Sequence, residues 1–216
     1  MKNILLIVLI LFSVNVFSQI HSIGIESGIN LSNQTGDVFN NSNYRLVIIE
    51  GFCYEFLFRN NYTLGMDMIY SQKGFIDKST LNGNAIEAQK DIKFNYNYLS
   101  LPVKIGYTKG QKLIGFLKMG LCPSILLSAG PSIDIFDEYG NLMINLKNDV
   151  SKFDLEGSVE IGAGYVFVNH IELFSSVSYY MGLTTFTNSE YLKDGNLRYY
   201  GFSMVAGLKY RLGKNN

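Results

Sequence analysis

The chain has few of the residues from which most catalytic and metal sites are built. It holds two histidines, His21 and His170, and two cysteines, Cys53 and Cys122. These four are scattered along the chain, with none of the close spacings of a zinc site. Cys53 and Cys122 fall on segments that do not adjoin. Two separate thiols are therefore favoured, although an oxidising compartment leaves a disulfide open. Net charge is zero, with 18 Lys and Arg against 18 Asp and Glu, and charged residues make up only 17%. That balance argues against a nucleic-acid partner. Three prolines and no Ser-rich stretch provide no linker, so one domain is expected. Long apolar runs are missing too: the longest, Ile4 to Phe12, spans about nine residues, roughly half the ~20 a membrane helix needs.

That short run has a recognisable setting. Met1-Lys2-Asn3 supplies a charged start, and Ser13 to Ser18 a small-residue end. The pattern reads as a signal peptide over residues 1–18, with Gln19 beginning a single mature domain over 19–216.

Aromatics and glycine are abundant, with 15 Tyr, 15 Phe and 21 Gly. Aromatics in that number suit the girdles of a membrane-spanning barrel, and glycine suits strands that bend and pack closely. The order of residues agrees. From Phe153 to Tyr165 the odd positions are Phe, Leu, Gly, Val, Ile, Ala and Tyr, and the even ones Asp, Glu, Ser, Glu, Gly and Gly. One face suits lipid and the other a polar lumen. The same rhythm predicts eight strands: Ile20 to Leu31, Tyr44 to Phe58, Tyr62 to Phe75, Phe94 to Tyr107, Lys112 to Leu127, Phe153 to Phe167, Ile171 to Thr185 and Leu197 to Leu212. Short turns alternate with long loops, as periplasmic turns alternate with external loops in outer-membrane barrels. The expected fold is all-β, an eight-stranded antiparallel up-and-down transmembrane β-barrel in the outer membrane, with membrane lipid as its surroundings.

The alternation also assigns faces. Leu64, Met66, Met68, Leu99, Leu101, Val103, Phe202, Met204 and Leu208 face lipid. A charge network faces the lumen: Glu26, Asp67, Asp154, Glu156, Glu160 and Glu172 against Lys73, Lys104, Lys118, Lys209 and Arg211. Glu50 breaks the rule, since it shares its parity with Leu46, Ile48, Phe52 and Tyr54. A carboxylate facing lipid is costly, which predicts a bulge near Gly51 that turns Glu50 inward. The alternative, a soluble lipocalin-like cup, has to enclose bulky apolar rows and expose its charges. It also leaves strands of ~13–15 residues unexplained.

Certain motifs carry a resemblance. Ile69-Tyr70-Ser71-Gln72-Lys73-Gly74 is similar to the Tyr-Ser-Gln-Lys-Gly motif of the PorT-type outer-membrane β-barrel family. Asn97-Tyr98-Leu99-Ser100-Leu101-Pro102-Val103-Lys104 resembles that family's Tyr-Leu-x-hydrophobic-Pro-hydrophobic segment. Gly162-Ala163-Gly164-Tyr165 and Tyr180-Met181-Gly182-Leu183-Thr184 add matches in the expected order, so the resemblance spans nearly the whole mature chain. It implies an eight-stranded outer-membrane barrel and no particular biochemical role. Read from the residues alone, Pro102 lacks a ladder donor and marks a bulge or an unpaired position.

An eight-stranded lumen is just filled by side chains, so the inward charges read as a polar plug, with a proton or ion pathway as the sharper alternative. Glu156 and Glu160 lie roughly 13 Å apart along one strand face, too far for glycoside chemistry. Neither His21 nor His170 reaches the external rim, where hydrolytic outer-membrane enzymes need one. No catalytic residue, metal or cofactor is expected. The external loop Ser128 to Lys152 is the place for a protein partner, through Ile133, Asp134, Phe136, Asp137, Glu138 and Tyr139. Two function classes remain: a structural or partner-binding barrel, and a small transporter or channel for ions or small solutes.

Overall fold

The computed structural model describes residues 20–36, 42–58, 61–77, 92–131, 150–167, 170–187 and 197–213. Among these the chain forms no helix. Its strands are β1 (Ile20–Thr35), β2 (Ser42–Phe58), β3 (Tyr62–Asp77), β4 (Ile92–Ser100), β5 (Val103–Gly110), β6 (Leu113–Pro131), β7 (Phe153–Phe167), β8 (Ile171–Gly182) and β9 (Arg198–Leu212). All belong to one sheet, and every pairing is antiparallel.

The pairings close a ring. Each strand pairs with its neighbours in sequence, β9 pairs with β1, and β4 and β5 together occupy one stave between β3 and β6. Eight staves therefore form the wall. A cross-strand row traced from Gly115 through Ala163, Ser175, Ala206, Ser27, Glu50, Tyr70 and Leu99 returns to β6 at Ile125, ten residues further along. That stagger is the barrel's shear, and with eight staves it tilts the strands by about 40°.

The fourth predicted strand is divided. Leu101 and Pro102 lie outside the ladder because Pro102 has no N–H to give. Their other backbone groups are still used: Asp67 N donates to Pro102 O at 3.0 Å and Leu101 N donates to Pro123 O at 2.9 Å. The tight turn from β5 to β6 depends on Gly110, whose φ of +122° suits no L side chain.

The faces follow the alternation. Leu64, Met66, Met68, Val103, Ile105, Phe202, Met204 and Leu208 are exposed on the outer wall, while Asp154, Glu156, Glu160, Lys118 and Lys209 are buried within. Glu50 corrects the reading of β2. There is no bulge at Gly51, which pairs in regular register with both Glu26 and Ile69. The β2–β3 irregularity lies instead between Tyr44 and Ile49. Register set over long antiparallel ladders on both sides holds the pleat, and Glu50 stays exposed on the outer face with Ile48 and Phe52.

Candidate functional site

The lumen is built in layers along the barrel axis. Nearest the turn end, Arg211 donates to Glu172 through Nη2 at 2.7 Å and Nε at 3.0 Å. Above it, Glu55 accepts from Lys209 at 2.6 Å and from Lys118. Both ammonium groups sit against aromatic faces, Lys209 3.9 Å from the Phe174 ring centre and Lys118 4.2 Å from that of Phe116. The next layer is centred on Lys104, held by Asp67 at 2.8 Å and Glu160 at 2.7 Å. Glu26 is buried beside them with no ion pair among the described residues. A fourth layer joins Lys73 to Asp154 at 3.0 Å and Glu156 at 2.8 Å, and Thr184 Oγ1 donates to Asp154 at 3.0 Å.

Several long inward side chains lie over a glycine of the neighbouring strand. Lys118 covers Gly106, Lys104 covers Gly120, Phe116 covers Gly162 and Phe174 covers Gly207. A side chain at any of these glycines would take the space its neighbour fills. The glycine content that suggested a barrel is thus used to fit lysines and aromatics into a narrow bore.

Toward the loop end the polar layers stop under an aromatic cap. Phe75, Phe94, Tyr96, Tyr98, Val150, Tyr180, Phe186, Leu197 and Tyr199 form one buried cluster, and Tyr98 and Tyr199 are 0% exposed. Phe186 stacks on Tyr199 at 4.0 Å, and Lys73 lies 4.6 Å from the Tyr98 ring centre, tying cap to charge layer. Arg45 donates from the rim to Phe94 O. Between the Lys104 and Lys73 layers lies a cavity of about 70 Å³, bordered by Glu26, Asn30, Glu156, Glu160 and Tyr180 among others.

All eleven lumen residues picked from the sequence, Glu26, Asp67, Lys73, Lys104, Lys118, Asp154, Glu156, Glu160, Glu172, Lys209 and Arg211, lie on the inner face, and the structure gathers them into these layers. Glu55 is an addition: it shares inward parity with Val47 and Cys53, so alternation along β2 marks it, but only the fold reveals that two lysines from β6 and β9 converge on it. Cys53 and Cys122 are both free thiols. His21 and His170 lie at the turn end, His21 Nδ1 hydrogen-bonded to Tyr54 OH at 2.8 Å and His170 Nδ1 to Arg211 O at 3.2 Å. Among the described residues no three His, Cys, Asp or Glu side chains are grouped to hold a metal ion. The loop residues Ile133, Asp134, Phe136, Asp137, Glu138 and Tyr139 lie outside the described residues, as does the 1–18 segment.

A closed antiparallel ring with an apolar outer wall and a charged bore defines an outer-membrane β-barrel. Residues 17–188 match the family described as outer membrane protein beta-barrel domain, and the chain belongs to it. Among solved structures it resembles the outer membrane protein OprG from Pseudomonas aeruginosa, with TM-score 0.55 and 9% identity over 91% of this chain and 96% of that one. It is also similar to Neisserial surface protein A, with TM-score 0.49 and 10% identity over 88% and 96% of the two chains. A further resemblance is to the outer membrane protease OmpT from Escherichia coli, with TM-score 0.49 and 12% identity over 93% and 99%. At these identities the likeness extends to the fold alone. No curated protein sequence matches the chain.

Proposed function

We propose that this chain is a non-enzymatic, PorT-type member of its family, a barrel whose lumen is a structural plug and which works through what its external loops bind. The observation that supports this best is the stack of ion pairs beneath a buried aromatic cap. Paired charges crowd the bore of an eight-stave barrel, and the cluster of Tyr98, Phe186 and Tyr199 stands across its loop end. The non-enzymatic reading rests on the histidines: both lie at the turn end, the full length of the barrel from the loops. The loop from Ser128 to Lys152 remains the proposed partner site.

The test is electrical. Purified protein in a planar bilayer should carry no steady current, and deleting the loops should abolish partner capture while leaving the barrel folded. The competing reading, a small transporter or channel for ions or small solutes, draws on the cavity of about 70 Å³ inside the bore. A stable single-channel conductance that Lys104→Ala alters without lowering the melting temperature would replace the plug with that reading.

A further inference from the structure

The lumen's charges do not balance. Among the described residues between the aromatic cap and the turn end, the layers above hold seven carboxylates and five cationic side chains, all buried or nearly so. An unpaired buried charge costs several kcal/mol even after the protein relaxes, so a deficit of two is more than a stable barrel can leave uncompensated.

The structure also locates the deficit. Lys104 gives its contacts to Asp67 and Glu160, and Lys209 gives its own to Glu55, so Glu26 has no cation. Lys73 is shared by two carboxylates, Asp154 and Glu156. The two under-served acids, Glu26 and Glu156, border the same cavity of about 70 Å³. Neutral polar side chains border it as well. Asn30 and Tyr180 border it with 2% and 7% exposure, and Asn30 Oδ1 has no hydrogen-bond partner among the described residues. Ser178 and Ser203, directly opposite each other on β8 and β9, add hydroxyls, and Ser203 is opposite Asn30 on β1.

We propose that this cavity is a binding site for a small monovalent cation of the alkali class, attracted by Glu26 on one side and Glu156 on the other and solvated by the Asn30 carbonyl and the surrounding hydroxyls. Hard oxygen donors select alkali and alkaline-earth ions over transition metals. Lys73 and Lys104, which also border the cavity, disfavour a divalent charge, and the volume admits one small ion with a few waters and excludes bulky quaternary ammonium. The site goes beyond the plug reading: an ion held there offsets one of the two unmatched charges of the bore, between the two under-served acids, whether or not anything passes through it.

The test is ion-specific stabilisation of the refolded, detergent-solubilised barrel. Thermal unfolding is compared in sodium, potassium and choline chlorides at matched ionic strength. The melting temperature should rise saturably with sodium or potassium, by roughly 2–4 °C, and stay flat in choline. Glu26→Gln should lose that response, whereas Glu50→Gln, altered on the outer wall, should keep it. If Glu26→Gln does not fold, broadening of the sodium-23 resonance by the parent protein, reversed by excess potassium, supplies the same evidence. Equal melting temperatures in all three salts, with no broadening, would overturn the proposal. So would a full response in Glu26→Gln. Stability that ignores the cation but follows pH, and loses that dependence in Glu26→Gln, would likewise overturn it in favour of protons as the missing charge. The conductance measurement is independent of all these outcomes, so failure of the ion site and failure of the plug remain distinguishable.

Discussion

Lys104 and Glu160 form one ion pair, yet their removal should have unequal effects. Among the described residues Lys104 is the only ammonium in contact with Asp67 and Glu160, and Glu26 is buried beside them. Lys104→Ala therefore leaves a cluster of unmatched carboxylates and should cost about 3–5 kcal/mol. Glu160→Gln leaves Lys104 paired with Asp67 and should cost much less, because the bore is already over-supplied with acid. Urea unfolding in lipid vesicles, followed by circular dichroism since the chain has no tryptophan, measures both; equal losses would mean the layer is not organised around Lys104. Glu50 presents the opposite case. It stands on the outer wall halfway between Tyr44 and Phe56, with Ser27 and Tyr70 as cross-strand neighbours. A carboxylate facing lipid near mid-strand is a local cost, so Glu50→Leu should stabilise the barrel by about 1–2 kcal/mol in the same assay.

At the scale of the strand, position and spacing matter more than identity. Gly28 faces inward on β1, and a Cβ there would run into the Met204 carbonyl oxygen and stand 2.7 Å from Val205 Cα. Strand entropy alone makes Gly→Ala favourable by roughly 0.5–1 kcal/mol. The clash should reverse the sign, so Gly28→Ala is expected to lower stability by about 1–3 kcal/mol, read from the urea midpoint. The break at Leu101-Pro102 illustrates what local sequence conveys. Proline's missing donor marked the place, but the use of its carbonyl by Asp67 N on β3 depends on register across the sheet. The Glu50 bulge failed for the same reason: a local cost was weighed without the regular pairing from Ile20 to Ser32 that holds β2 in phase.

For the whole molecule, closure is the property that matters. β9 pairs with β1 from Leu212 at one end to Arg198 at the other, so the sheet has no free edge from which unfolding can start. The folded barrel should therefore resist SDS without boiling and migrate differently from the boiled chain on a gel. The mature protein, beginning near Gln19, should sediment with the outer membrane. Recovery as a soluble periplasmic protein, or a single mobility before and after heating, would contradict the reading of the outer wall and of the 1–18 segment.

The sequence by itself determined the class of protein. Period-two alternation in long segments, with short turns between long loops, admits few structures other than a membrane barrel, because each residue's side of the wall is a local property of the pleat. Inward parity likewise marked Lys73, Lys104, Glu156 and Glu160 before any coordinates. Only the tertiary structure decided which charges meet. Glu55 of β2 joins Lys118 of β6 and Lys209 of β9 across the bore, Lys73 of β3 reaches Asp154 and Glu156 of β7, and Glu26 is left without an ion pair among the described residues. Those meetings depend on the shear of the closed ring, which sets the height of every strand against every other. Shear accumulates over eight pairings, so no single segment of the chain encodes it.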